Sequence, residues 1–206
     1  MIDNLNIIKT LLNFEKEGDF YHCIILKRKK DQPEWERENY QSRTIKTYCV
    51  DSIEYLNKRY DEIKLLCEMF NARAYIYVQK QNHSDVSLDM MVSLAERIKN
   101  GVKNQKGLFD SVVEQIKNSE ERWFIDVDDV SIDDFNHNKY YLEMREYVNE
   151  LQLEMKKEQG MTFIKTKSGF HIITQPFNVM KFKQKYPEVD VHNKNPTILY
   201  IPNSLY

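Results

Sequence analysis

In the first half of the chain, apolar residues recur with two different spacings. Alternation predicts strands, and a spacing of three and four predicts helices. Residues 20–27 are apolar and β-prone, and residues 43–50 alternate as a strand does. From there the period changes, because the apolar positions of residues 53–70 recur at alternating spacings of three and four. That spacing predicts an amphipathic helix that begins at Asp51 or Ser52.

Three more elements follow in this half. Residues 74–79 read as a strand, and a short helix is expected over residues 109–116. A longer helix lies between them and ends near Asn100; its apolar face is marked by Leu88, Met91, Ala95 and Ile98. With a helix at the N-terminus, residues 1–118 are predicted to form an α/β lobe in the order β-β-α-β-α-α.

The second half has a sharper order of elements. In sequence, they are a strand over 123–127, a helix over 141–155 stopped by Gly160, strands over 162–165 and 170–174, a helix over 178–186 and a last strand over 197–201. The order β-α-β-β-α-β is that of the split ferredoxin-like arrangement, which RNA-recognition (RRM) folds share. We therefore expect an α/β (α+β) protein in which residues 119–206 form an RRM-like lobe, packed with the N-terminal lobe into one compact unit.

Composition favours a folded protein and excludes two classes. Of the 206 residues, 41% are hydrophobic and 12% aromatic, as in globular domains. No apolar run approaches the ~20 residues that span a bilayer, and the N-terminus lacks the features of a signal peptide. We expect a cytoplasmic protein without a membrane partner. Three widely spaced cysteines favour reduced thiols over a disulfide framework or a zinc site.

The charges are segregated, although the net charge is only −2. Basic residues cluster near the start of the chain (Arg28, Lys29, Lys30 and Arg43) and again between Lys165 and Lys185. Five aspartates lie between these basic regions, at positions 126, 128, 129, 133 and 134. The first cluster suits the phosphates of a nucleic-acid template, because such contacts need cations but no fixed spacing. A solvated strand end accounts for it equally well.

The strongest candidate for chemistry is the strand that carries Asp126 and Asp128. Alternate residues of a strand share a face and lie roughly 7 Å apart, so both carboxylates project together while Ile125 and Val127 face the core. Two carboxylates held so close favour a cation between them, and Mg²⁺ or Mn²⁺ prefers such oxygen ligands. The alternative is a strand end followed by an acidic turn, which is the interpretation we prefer for Asp129, Asp133 and Asp134.

A second candidate is the turn between the strands 162–165 and 170–174. A Ser-Gly turn exposes backbone N–H groups, and four side chains add donors that suit phosphate: Lys165, Lys167, Ser168 and His171. The imidazole of His171 is placed to hold a triphosphate oxygen. Considered alone, the segment is more typical of an ordinary hairpin with a surface histidine.

Together the two segments resemble the first two motifs of the archaeo-eukaryotic primase superfamily. The shared features are a hydrophobic-Asp-hydrophobic-Asp strand, a helix and a Ser-Gly-x-His hairpin about 40 residues later. Small primase-like proteins of phages and mobile elements are the most similar members. The resemblance implies that Asp126 and Asp128 ligate divalent metal ions and that His171, with Ser168 or Lys167, contacts the incoming nucleotide.

The family also has a third acidic residue near a late strand. Asp190 is the best candidate for this ligand, and Asn193 or Asn195 is the alternative at that position. An asparagine supplies a carbonyl oxygen without a charge, so its presence would imply weak metal binding and poor turnover.

The resemblance implies a primase or primase-polymerase that performs template-directed nucleotidyl transfer with two Mg²⁺ or Mn²⁺ ions. Its expected partners are nucleoside triphosphates, a single-stranded DNA template and a separate replicative helicase. Two alternatives stay open from the residues. One is a nucleic-acid-binding or nucleotide-binding protein that has kept the fold and lost catalysis, and the other is a regulatory or assembly module whose acidic strand is only surface.

Overall fold

The protein is a mixed α+β structure, as predicted. The computed structural model describes residues 1–34, 41–115, 122–129, 137–157, 160–193 and 195–205, and within them it has six helices and two antiparallel sheets. The helices are α1 (Leu5–Leu11), α2 (Ile53–Phe70), α3 (His83–Lys99), α4 (Leu108–Gln115), α5 (Lys139–Glu154) and α6 (Val179–Lys185). The strands are β1 (Ile2–Asp3), β2 (Asp19–Lys27), β3 (Arg43–Val50), β4 (Arg73–Ile76), β5 (Gln81–Asn82), β6 (Trp123–Asp128), β7 (Met161–Lys165), β8 (Gly169–Thr174), β9 (Asp190–His192) and β10 (Thr197–Ile201).

The first sheet has six strands and carries α2 on one face. Its order is β1-β10-β4-β2-β3, with β5 paired to β2. The predicted start of α2 is confirmed, because the Ser52 side chain accepts a hydrogen bond from the Tyr55 N–H at 3.1 Å. The helix ends at Asn71, whose left-handed φ of 46° is a conformation that asparagine tolerates. Its apolar stripe, from Leu56 to Cys67, is buried as the period predicts.

The second sheet has four strands in the order β7-β8-β6-β9, and its two faces are covered differently. Ile125 and Val127 of β6 point to one face and join a core built with α5 and α6. Phe124, Ile164 and Ile173 point to the other face and join the core of the first sheet. The side chains of Asp126 and Asp128 belong to this second face, because residues of one strand alternate between faces.

The predicted position of the last strand is wrong. β10 exists with the predicted bounds, but it lies in the first sheet, between β1 and β4. The fourth strand of the second sheet is the short β9, which the sequence pattern did not indicate. The physical reason is burial, since all five residues of β10 are buried and only an interior strand of a covered sheet hides both faces.

The helix α3 also departs from expectation. The residues that mark its apolar face are exposed, with Leu88 62%, Met91 68% and Ile98 63% accessible. Val86 is its only buried residue, and it packs with Phe20 and α4. The helix is anchored through the opposite face from the one that its apolar period indicates.

Two smaller points concern the cysteines and the membrane. Cys23 and Cys67 are buried free thiols, and Cys49 is a half-buried free thiol. Among the residues described, no helix has both the length and the apolar content that crossing a bilayer requires.

Candidate functional site

The site is a row of three side chains across the second sheet. Asp126 lies on the inner strand β6, directly opposite His171 on β8 and directly opposite Asp190 on β9. Directly paired residues of antiparallel strands project from the same face. The pairing register therefore brings together three residues that lie as many as 64 positions apart in the chain (190 − 126 = 64).

His171 is held by contacts from two sides. Its Nε2 lies 3.6 Å from Asp126 Oδ1, and its Nδ1 lies 3.0 Å from the hydroxyl of Thr197. Thr197 is the fully buried first residue of β10, so the first sheet fixes the ring orientation of a histidine that belongs to the second sheet. The Nδ1 contact leaves Nε2 as the ring atom that faces Asp126 and the open space beside it.

Burial shifts the pKa of both members of the Asp126–His171 pair. Burial raises the pKa of Asp126; His171 and His192 oppose this effect, and the carboxylates of Asp128 and Asp190 add to it. Burial likewise lowers the pKa of His171, although Asp126 and Asp128 favour its charged form. Both shifts favour the neutral forms of the two side chains. This is the behaviour of a partly desolvated site in which Asp126 lies near other carboxylates and His171 near another imidazole.

The turn between β7 and β8 is fastened to the end of β6. The Asp129 N–H donates to the Ser168 carbonyl at 2.8 Å, and the Ser168 hydroxyl donates to Asp128 Oδ1 at 3.3 Å. Gly169 lies so close to β6 that an added Cβ would come within 1.9 Å of the Val127 carbonyl oxygen. The predicted Ser-Gly turn is therefore in direct contact with the second aspartate of the pair.

A basic and aromatic pocket of about 390 Å³ opens on one side of Asp126. Its lining comes from both sheets: Leu26, Arg28, Ser42, Tyr75, Phe124, Asp126, His171, His192, Asn195 and Pro196. The Arg28 guanidinium donates to the Tyr75 hydroxyl at 3.0 Å, which holds it at this pocket. One cation, two imidazoles and an amide therefore line the same cavity as the first aspartate.

An acidic and aromatic pocket of about 410 Å³ opens on the other side. Its lining residues are Asp126, Val127, Asp128, Tyr140, Tyr141, Glu188, Val189 and Asp190. Tyr140 is 38% exposed and donates a hydrogen bond to Glu188. It is the second residue of α5.

The third acidic residue, Asp190, lines the acidic pocket with the first two but is paired with a lysine. Asp190 pairs in register with Asp126, but its carboxylate lies 3.5 Å from the Lys183 ammonium. Within the described ranges, no three side chains of His, Cys, Asp or Glu are grouped closely enough to hold a metal ion. Asp126 and Asp128 thus form a two-carboxylate site in this conformation, with Asp190 one strand away.

The other residues predicted to bind nucleic acid are Lys29, Lys30 and Arg43. Burial lowers the pKa of Lys30, as do Arg28 and Arg73, whereas Asp31 and Asp128 raise it, so Lys30 interacts electrostatically with the site. The Lys29 backbone N–H donates to the Ser42 hydroxyl, and Arg43, the first residue of β3, pairs with Lys27 of β2.

The lysines of the hairpin do not gather around His171. Lys165 pairs with Phe170 and so points to the opposite face from His171, while Lys167 is exposed in the turn itself.

Two acidic residues beside the strand, Asp133 and Asp134, lie outside the described residues.

Sequence reasoning missed or undervalued three contributors to the site. Thr197 was counted only as a strand residue, His192 belonged to neither motif, and Asn195 was considered only as an alternative third metal ligand. Only the pairing of β9 with β6 reveals that His192 faces Phe124 and shares a pocket with His171.

Compared with known families, curated proteins and solved structures, the chain shows no match.

Proposed function

We propose that the protein is a metal-dependent nucleotidyltransferase of the primase or primase-polymerase type. One observation carries the proposal: Asp126 lies in register with His171 and at the boundary of two pockets, of which one is basic and the other acidic. Transfer of a nucleotide needs a cationic place for the triphosphate and a carboxylate place for metal ions, and both must meet at the reacting phosphorus.

The two carboxylates fit a magnesium or manganese site that is completed by substrate. Mg²⁺ is commonly held by one or two carboxylates and by substrate phosphates, and it keeps several waters. Asp126 and Asp128 supply the two carboxylates and both line the acidic pocket. When bound, such ions polarise the phosphoryl oxygens and lower the pKa of an attacking hydroxyl.

The basic pocket supplies the complementary half of the site. Arg28 and His171 face it from the two sheets, and His192 adds a second imidazole. These donors suit the oxygens of a triphosphate, which a guanidinium can bind in a bidentate manner. Phe124 and Tyr75 line the same cavity and offer apolar surface for a base or a sugar.

The strand order of the second sheet supports a split ferredoxin-like lobe. With β9 as the fourth strand, β6-α5-β7-β8-α6-β9 follows the β-α-β-β-α-β order, and the antiparallel sheet runs β9-β6-β8-β7. In the primase superfamily that the two motifs resemble, this kind of lobe carries the catalytic acids. The proposal therefore places Asp126 and Asp128 on the strand that begins the lobe.

The test is incorporation of labelled nucleotides on a single-stranded DNA template with Mg²⁺ or Mn²⁺. We expect Asp126→Asn and Asp128→Asn to lose at least about a hundredfold in rate while keeping the melting temperature, since removal of one strong electrostatic group from such a site costs about 10²–10³. Asp129→Asn is the matched control, because Asp129 is exposed and adopts a φ of 60° that asparagine tolerates. Equal activity in the Asp126, Asp128 and Asp129 variants would refute the proposal.

A second candidate function is nucleotide or nucleic-acid binding without catalysis. The observation that favours it is the pairing of the third acid, Asp190, with Lys183 instead of with the aspartate pair. It predicts that manganese and nucleoside triphosphates raise the melting temperature by mass action, yet no labelled product forms. The variant Lys183→Gln separates the two candidates: it should raise incorporation by an enzyme, whereas a pure binding protein should form no product with or without the substitution.

A further inference from the structure

The helix α3 has an apolar stripe that no part of the described structure covers. The stripe consists of five exposed residues: Leu88, Met91, Val92, Ala95 and Ile98. Their spacing of three and four repeats along the helix, so they form one continuous band about 15 Å long. The face that contacts the rest of the protein carries Val86 and the half-buried Met90, and it lies on the opposite side of the helix.

Exposed apolar bands of this kind are uncommon on a monomer and mark a contact with another surface. Val92 is 59% accessible and Leu88 62%, so burying the stripe would remove large apolar areas from water. A stripe at heptad-like spacing fits another helix, because side chains at these positions interdigitate with those of a facing helix.

The charges along α3 indicate which helix that is. Asp85 and Asp89 lie at its N-terminal end, and Lys99 and Lys103 lie at and just beyond its C-terminal end; all four are exposed. In an antiparallel pair of copies related by a twofold axis, the acidic end of each copy meets the basic end of the other. Ala95 is near the centre of the stripe, where a small side chain lets two helices approach closely.

We propose that α3 is a homodimerisation surface that pairs antiparallel with α3 of a second copy of this chain. A symmetric contact needs a patch complementary to itself, and the opposite charges at the two ends of α3 meet that condition. The inference does not depend on the nucleotidyltransferase proposal. The stripe is short, so we expect a dissociation constant on the order of 10 µM.

The first experiment is sedimentation velocity of the full chain over a range of micromolar concentrations. The wild type should show a monomer–dimer equilibrium, and Leu88→Glu with Ile98→Glu should remain monomeric with an unchanged melting temperature. Leu65→Glu is the matched control, since Leu65 is 55% exposed on α2 and lies outside the stripe. A wild type that stays monomeric throughout, whether or not it captures another protein, would overturn the proposal.

A charge-swap pair tests the orientation and does not depend on the glutamate variants. Asp85→Lys with Asp89→Lys makes both ends basic, and Lys99→Glu with Lys103→Glu makes both ends acidic. Each variant should be monomeric alone because like charges meet, and the mixture should form a heterodimer because opposite charges meet. Homodimers of either variant, or a mixture without heterodimer, would contradict the antiparallel arrangement.

Discussion

At the scale of single residues, the site depends on how one histidine is oriented. The Thr197 hydroxyl lies 3.0 Å from His171 Nδ1 and so sets which ring nitrogen faces Asp126. This contact joins the two sheets at the place where the proposed triphosphate would bind. It also explains why a buried threonine stands at the start of an otherwise apolar strand.

We predict that Thr197→Val weakens nucleoside triphosphate binding about two- to tenfold, because one neutral hydrogen bond is worth about 0.5–1.5 kcal/mol. Valine keeps the shape of the side chain and removes only the hydroxyl. Thr197→Ser keeps the hydroxyl and should bind within about twofold of the wild type. Calorimetric titration of the three proteins measures the difference, and equal affinities for the valine and serine variants would show that the contact has no role in binding.

A second prediction at this scale concerns pH and Asp19. Burial alone would raise the pKa of this carboxyl, but hydrogen bonds from the backbone of Lys16 and Glu15, the Asn82 side chain and the charge of Lys80 together lower it. A carboxyl whose pKa is lower in the folded state stabilises the fold above its unfolded pKa of about 3.9, and the effect disappears as pH falls through the folded pKa.

Asp19→Asn should therefore lower the free energy of unfolding by about 1.5–3 kcal/mol at neutral pH, the range for hydrogen bonds to a charged group. The difference from the wild type should shrink as pH falls below about 4. Urea titrations at several pH values measure it, with Glu17→Gln as the control, since Glu17 is an exposed carboxyl two residues earlier. A difference that stays constant with pH would show that the charge of Asp19 does not matter.

At the scale of elements, the tight contact between the hairpin and β6 makes Gly169 irreplaceable. An added Cβ would lie 1.9 Å from the Val127 carbonyl oxygen, a backbone atom that cannot rotate away. We predict that Gly169→Ala lowers the free energy of unfolding by about 1–3 kcal/mol, as overpacked sites do, and reduces nucleotide incorporation. Gly160→Ala should be close to neutral, because nothing lies within 4 Å of its Cβ position. Equal urea midpoints for the two variants would contradict the contact.

The elements themselves could be predicted because their signals are local. The helix α2 has a capping serine, a regular apolar spacing and a left-handed C-terminal residue, and its bounds agree with the pattern. The short strand β9 could not be predicted, because three residues carry no readable period and its Asp190 and His192 are polar. The buried face of α3 was misassigned because an apolar period identifies an apolar face of a helix and does not show whether the rest of the chain covers it.

At the scale of the whole molecule, the sequence motifs indicated three side chains of the candidate site but not the sheet that lines the pocket beside them. Asp126, Asp128 and His171 were found from local patterns, and β-sheet register brings Asp126 and His171 together. The contributions of Arg28, Tyr75 and Thr197 depend on the first sheet, which β10 joins through pairing with β4. Such long-range pairing leaves no local signal in a single sequence. The division near residue 118 stays a prediction, and Phe124, Ile164 and Ile173 lie in the core of the first sheet.

The central claim is that Asp126 and Asp128 hold catalytic cations beside the basic pocket. Anomalous scattering from crystals soaked with Mn²⁺ and a non-hydrolysable nucleoside triphosphate tests it most directly. We predict manganese peaks about 2.1 Å from carboxylate oxygens of both aspartates, with the triphosphate toward Arg28 and His171. A triphosphate bound with no manganese at the two aspartates, or manganese only at other acidic residues, would contradict the claim.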